Sequence, residues 1–289
     1  MALRFVHCSD IHLLDLEGVS PLRFLNKRLT GAVNLAMNRR RHYAGHLFDH
    51  IVEHARAEGA DRLVITGDVT NLALEAEFAL VRKKLEEAGL PVTVIPGNHD
   101  AYTRGSVRTR RFEEYLGGFM EGERQGSHDY PFVQRFGDVA LIGLSTAIAT
   151  LPLYATGRLG DEQLRRLDAI LEALGREKVA RIVLIHHPVM PGVAKARHDL
   201  LDLDAFMKVI ARRGAELILH GHEHLHIEGM LPGPEGAAVV HGIGSGTSLS
   251  QRPGRHGAFS LYTVAPGTIQ RAHYTWNGAE FVAGAETTH

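Results

Sequence analysis

Short apolar runs alternate with helical stripes along this chain, and five of the runs break off into polar clusters. Leu3–Cys8 ends in Ser9-Asp10, residues 63–66 in Gly67-Asp68, and residues 92–95 in Pro96-Gly97-Asn98-His99-Asp100. Residues 182–185 end in His186-His187-Pro188, and residues 217–219 in the polar run 220–226. Apolar runs bounded by turn residues read as buried strands. From Ala44 onward, Leu47, Phe48, Ile51, Val52 and Ala55 follow the i, i+3, i+4, i+7, i+8 spacing of one helix face. Residues 73–88, 161–174 and 202–213 also suit helices, the first stopped by Gly89-Leu90-Pro91. Strands alternating with helices predict βαβ units and a largely parallel sheet. Segments 130–136/139–144 and 237–241/258–264/269–275 read as antiparallel hairpins or a meander. The expected architecture is α/β, two mixed sheets with helices outside, in one domain over 1–289. The small, polar tail after Phe281 is expected to fray.

Composition narrows the class. With 289 residues and 44% hydrophobic side chains, the chain can fill a substantial core. Lys+Arg 32 against Asp+Glu 33 gives −1, which argues against a sequence-independent nucleic-acid binder. The single cysteine, Cys8, cannot form an internal disulfide or a cysteine-ligated zinc site, and a buried strand thiol is usually inert. With no basic-then-apolar leader and no apolar run of roughly 18 residues, a cytoplasmic protein is expected. Histidine stands out, with 19 copies, many beside Gly, Asp or Asn.

Functional groups in open α/β sheets gather at the carboxyl ends of strands. Here those ends carry Asp10-Ile11-His12, Gly67-Asp68, Asn98-His99-Asp100, His186-His187 and His222-Glu223-His224. These are oxygen and imidazole donors without a thiolate, a set suited to Mn, Fe, Co or Zn. The donors exceed what one ion takes and fit two ions sharing a carboxylate, roughly 3.5–4 Å apart. In an extended segment residues i and i+2 face the same side, so Asp10 with His12, and His222 with His224, could act together.

Asp-x-His, Gly-Asp, Gly-Asn-His-Asp, His-His-Pro and Gly-His-x-His, in this order, resemble the calcineurin-like metallophosphoesterases. The blocks run from Phe5 to His224, none of them substituted. The resemblance implies a four-layered α-β-β-α sandwich holding two divalent ions (Mn, Fe, Zn or Co). Asp10, His12 and His224 would hold one ion, Asn98, His186 and His222 the other, and Asp68 would bridge them. His187 would support from behind. His99 would stabilise phosphoryl charge or protonate the leaving oxygen, with Asp100 orienting it. The implied activity is hydrolysis of a small phosphate ester by a bridging hydroxide, in the manner of the cyclic-nucleotide and glycerophosphodiester phosphodiesterase branch.

Residues 18–41 carry Arg23, Lys27, Arg28, Arg39, Arg40 and Arg41 and no acid. Leu22, Leu25, Leu29, Val33 and Met37 would share one face of a helix starting near Pro21. Such a basic amphipathic insertion could be a solvated helix, a cap over the site, or a contact for anionic membrane. Arg104, Arg108, Arg110 and Arg111 follow the Gly-Asn-His-Asp loop, and arginine suits phosphate. Arg23, Arg28, Arg104 and Arg108 are therefore candidate substrate contacts. The i+4 series His42, His46, His50, His54 flanks an apolar helix face and is expected to be solvated. The alternatives are a pyrophosphate hydrolase acting on a lipid-linked nucleotide such as UDP-diacylglucosamine, and a non-catalytic scaffold with this fold. Substrate, native metals and oligomeric state are not legible at this level.

Overall fold

The computed structural model describes residues 2–24, 28–29 and 44–289. Six strands form one sheet, in the order β13-β12-β11-β1-β2-β3, and seven the other, in the order β4-β5-β6-β7-β8-β10-β9. In the first sheet β1 (Leu3–Cys8), β2 (Arg62–Ile65) and β3 (Val92–Val94) are parallel, while β11 (Ala258–Ala265) pairs antiparallel with β1. In the second, β6 (Val139–Gly143), β7 (Ala180–Leu184), β8 (Leu217–His220) and β10 (Ala238–Gly242) are parallel. The remaining strands are β4 (Glu123–Arg124), β5 (Phe132–Phe136), β9 (Ile227–Leu231), β12 (Thr268–Trp276) and β13 (Phe281–Thr288).

The two faces of the second sheet show how the layers stack. Alternate residues of a strand point to opposite faces. Val139, Leu141, Ile182, Leu184, Leu217 and Leu219 pack in one core with Phe5, Val64, Phe259 and Tyr262 of the first sheet. Ala140, Ile142, Val183 and Ile218 instead pack with α5 (Asp161–Arg176) and α6 (Leu203–Arg213). On the first sheet the covering helices are α1 (His46–Ala57) and α2 (Glu75–Glu86), and all five residues of the expected α1 stripe are buried. Two mixed sheets with helices on their outer faces are thus realised. Short helices α3 (Arg104–Arg108) and α4 (Arg111–Leu116) follow the β3 loop. No described helix is long and apolar enough to cross a membrane.

Three expectations change. Residues 237–241 do not join the β11–β12 hairpin. They form β10, parallel to β8 and antiparallel to β9 in the other sheet, because the connection 243–257 crosses between the sheets. The tail does not fray, since β13 pairs antiparallel with β12 from Gln270↔Thr288 to Trp276↔Phe281. Backbone hydrogen bonds, which need no apolar side chain, hold this exposed edge strand. Of the expected helix from near Pro21, residues 25–27 and 30–43 lie outside the described residues, including Lys27, Arg39, Arg40, Arg41 and His42. Pro21–Phe24 form a 3-10 turn. Along α1, His46 and His50 are exposed, and His54 packs at an angle against Phe259 and Tyr274, with ring centroids 5.0 and 4.4 Å away.

The turn into α2 rests on Glu77, a fully buried side chain. Its carboxylate accepts from the amides of Asn71 (3.2 Å), Leu72 (3.0 Å) and Leu74 (3.0 Å). Glu77→Ala would strand these amides, so urea denaturation should show a loss of about 3 kcal/mol. Glu77→Gln, with one acceptor oxygen left, should lose less. Equal stability of both variants and the native chain would mean the turn is held otherwise.

Candidate metal centre

Five loops meet where the parallel strands of both sheets end. The loop after β1 runs beside the loop after β2, through Asp10 N to Gly67 O (3.0 Å), His12 N to Asp68 O (3.0 Å) and Leu13 N to Val69 O (2.9 Å). Across the gap, Gly221 N donates to His186 O at 3.1 Å. The crossing segment after β10 clamps the first loop: Ser245 Oγ donates to Asp10 O (2.6 Å) and Thr247 Oγ1 to Ile11 O (2.8 Å). Asp10 and His222 are joined directly, the His222 amide donating to Asp10 Oδ2 at 3.0 Å.

The backbone that presents the donors is strained. Asp10, His12, Asp68, His222 and His224 have φ of 52, 44, 52, 75 and 53°. Left-handed conformations cost non-glycine residues roughly 1–3 kcal/mol each and cluster at functional sites. The i, i+2 pairs are therefore brought together by left-handed turns, not by continued strands as their spacing alone suggests. Two glycines make room. A Cβ on Gly97 would collide with the Asp68 carboxylate, and one on Gly221 with Ser9 Oγ and the Asp10 carboxylate.

Of the residues singled out from the sequence, Asp10, His12, Asp68, Asn98, His186, His222 and His224 come together. Asp10, His12 and His224 offer ligand atoms within 4.8 Å of one another, and so do Asp10, Asp68 and His186. His224 Nε2 lies 3.0 Å from Asp10 Oδ1 and 3.2 Å from His12 Nε2. Asp68 lies between the groups, Oδ1 3.4 Å from His186 Nε2 and Oδ2 4.0 Å from His12 Nε2. Asn98 Oδ1 faces His186 Nε2 at 3.2 Å and His222 Nδ1 at 2.8 Å.

Carbonyl oxygens hold the opposite edge of three rings. His12 Nδ1 meets Thr70 O (3.2 Å), His186 Nδ1 meets Thr66 O (2.7 Å), and His222 Nε2 meets His198 O (3.1 Å). A carbonyl only accepts, so each of these nitrogens carries a proton, and the other nitrogen faces inward, where it can ligate once it holds no proton. His187 is turned away, on Thr146 Oγ1 (2.7 Å) and Ala155 O (3.0 Å). A further group, His198, His222 and Glu223, also lies within 4.8 Å. Sequence reasoning passed over His198, which belongs to no strand end.

Electrostatics fit a cation site. Burial pushes Asp10 up, but the imidazoles of His224 and His186 outweigh it and hold the carboxyl at about 2. Burial likewise opposes ionisation of Asp68, yet His186 and His99 hold it well below the usual carboxylate range. Burial lowers His186, and Asp68 and Asp10 more than reverse this, to about 9. Burial, with His187 and His186 beside it, pushes His222 well below its ordinary value. Two buried carboxylates with imidazole nitrogens turned inward beside them fit divalent cations, which would displace the imidazole protons.

His99 stands at the rim. Its amide donates to Asp68 Oδ1 (2.7 Å), its Nδ1 meets Asn71 O (2.7 Å), and its Nε2 lies 4.0 Å from Asp68 Oδ2. Asp100 accepts from the amides of Gly97 (2.9 Å), Thr70 (2.9 Å) and Val69 (3.3 Å) and from Thr70 Oγ1 (2.9 Å). It thus binds the β3 loop to the β2 loop and acts on His99 through that backbone, while a carbonyl meets the ring. Burial and the nearby Asp68 push the Asp100 carboxyl up to about 7. Of the candidate substrate contacts, Arg28 is buried and donates to Leu72 O (2.7 Å) and Ala73 O (2.8 Å), and Arg23 pairs with Glu75. Arg104 and Arg108 are exposed.

Comparison with known proteins agrees with this geometry. A model of the calcineurin-like phosphoesterase family matches residues 3–226. The probable cyclic nucleotide phosphodiesterase syc0937_d of Synechococcus sp. is 30% identical over 167 residues, 57% of this chain and 58% of that protein. The glycerophosphodiester phosphodiesterase GpdQ of Enterobacter lignolyticus is 29% identical over 171 residues, 58% of this chain and 57% of that protein. The chain thus spans under two thirds of these relatives' lengths. A dimetal phosphatase from Danio rerio shares the fold, with a TM-score of 0.66 at 15% identity over 97% of this chain and 98% of that one.

A cation that binds only the folded state stabilises it by an amount that grows with the logarithm of its concentration, roughly 2.7 kcal/mol at a hundred times Kd. Excess Mn should therefore raise the melting temperature by about 5 °C. Asp68→Ala should abolish the rise and His187→Gln retain it, as read by scanning calorimetry. A rise of the same size in Asp68→Ala would place the metal elsewhere.

Proposed function

This chain belongs to the calcineurin-like phosphoesterase family, and from that premise we propose that it is a metal-dependent phosphodiesterase acting on a small phosphate diester. The observation that carries the reading is the convergence of Asp10, His12, Asp68, Asn98, His186, His222 and His224 at one gap with His99 at its rim. In this proposal Asp10, His12 and His224 hold one divalent ion, Asn98, His186 and His222 hold a second, and Asp68 bridges them. When bound, such a pair polarises phosphate oxygens and lowers the pKa of water towards 7. The names of the relatives favour a cyclic nucleotide or a glycerophosphodiester as the substrate class.

The chain's own residues would do the rest. His99, its Nδ1 proton committed to Asn71 O, keeps Nε2 towards the gap. A protonated Nε2 there can give its proton to the departing alkoxide. Asp100 sets the position of His99 by fastening Gly97 to Thr70, so its removal should displace the ring without removing the acid. Asn71 contributes twice: its carbonyl meets His99 and its side-chain amide donates to His12 O at 2.7 Å.

Hydrolysis of bis-p-nitrophenyl phosphate should appear with added Mn and vanish with a chelator. On a diester whose leaving group is an alkoxide, which must be protonated, His99→Asn should lower kcat by about 10²–10⁴ with unchanged metal content, the usual share of a general acid. A native chain that holds metal yet never turns over a diester would overturn the proposal, and so would a fully active His99→Asn variant.

A further inference from the structure

One cavity, of about 640 Å³, lies at the opposite end of the sheets, where Arg181, Arg212 and Arg213 are matched by Glu216 and Asp168. A second cavity, of about 530 Å³, is lined by Arg23, Arg28, Arg104, Arg108 and Arg111. Its other lining residues are hydroxyl-bearing, aromatic or small, and none is acidic. This cavity also meets Tyr102, whose ring lies 5.4 Å from that of His99. One aromatic ring thus separates it from the rim of the metal centre.

The arginines have two standings. Arg28 and Arg111 both donate to Ala73 O, at 2.8 and 2.7 Å, while Arg23 and Arg111 pair with Glu75. These three build a wall fixed to residues 72–75, the same turn that offers Asn71 O to His99. Arg104 and Arg108 sit in α3, exposed, and among the described residues no hydrogen bond or ion pair engages their side chains. Against five guanidinium groups, the carboxylates that act on this cluster among the described residues are Glu75 and Glu77, which leaves the cavity positive. Guanidinium forks match phosphate oxygens in geometry and charge.

Resting on the phosphodiesterase reading above, we infer that this cavity takes a second anionic group of the substrate, a phosphate monoester carried on one substituent of the diester. The scissile phosphate needs no such pocket, because the metal centre already presents positive charge to it. Among the described residues, a neutral substituent would leave Arg104 and Arg108 without a counter-charge. The preferred substrate is therefore a diester whose alcohol or nucleoside also bears a terminal phosphate.

The test compares thymidine 5′-(p-nitrophenyl phosphate) with the same ester carrying a 3′-phosphate, using the Mn-loaded protein. The 3′-phosphorylated ester should have a KM at least about tenfold lower, from its added charge-assisted contacts. In the double variant Arg104→Gln/Arg108→Gln the ratio of kcat/KM between the two esters should fall towards one. Titration of the metal-stripped protein with inorganic pyrophosphate should show binding that the double variant weakens about tenfold. Equal KM values for the two esters, or pyrophosphate binding indifferent to the substitutions, would overturn the inference. Turnover of neither ester would instead remove the phosphodiesterase reading, and the pyrophosphate titration would still decide whether the cavity binds anions.

Discussion

Two buried carboxylates, Asp10 and Asp68, face inward imidazoles across the gap between two sheets, and the rest of the structure can be understood as the means of keeping them there. Buried charge is tolerated only when it is paired. Here the pairing groups arrive from five separate strand ends, so neither sheet completes the cluster alone. His222 N on Asp10 Oδ2 and Asn98 Oδ1 beside His186 and His222 are the joints at which the sheets meet.

Holding that arrangement requires local strain and local support. Five donors adopt left-handed backbone, and around them the turns are fastened by Ser245, Thr247, Asp100, Asn71 and Glu77, each through a buried hydrogen bond to a main-chain group. These residues never need to touch a substrate. Their work is to make the donor positions insensitive to thermal motion, which is what an electrostatic mechanism demands. The inter-sheet core of Phe5, Leu141, Leu184 and Tyr262 beneath them supplies the rigid floor.

The donor set was legible because metal ligands must be particular chemical types, and strand ends betray themselves as an apolar run followed by a polar cluster. The α1 stripe was legible for the similar reason that one face must be buried. What failed was long-range pairing. Residues 237–241 look like any other strand of a meander, and only the crossing segment decides which sheet receives them. The strand Phe281–Thr288 has no apolar face to advertise it, since beyond the packing of Phe281 on Trp276 it is main-chain pairing that joins it to β12. The supports were hidden too. Asn71 meets His99, and His198 meets His222, through a carbonyl oxygen, which every residue possesses, so those contacts leave no mark in the sequence. Spacing also misled in one respect: Asp10 and His12 cooperate through a left-handed turn, which no i, i+2 rule anticipates.

Residues 71–75 offer a carbonyl to His99 and anchor three arginines of the neighbouring cavity, so chemistry and anion recognition would share one rigid element. The most direct test of the central claim is anomalous diffraction from Mn-soaked crystals. Two peaks about 3.5–4 Å apart, with Asp68 between them and Asn98 Oδ1 beside one, is the predicted result. A single peak, or peaks away from Asp10 and Asp68, would contradict it.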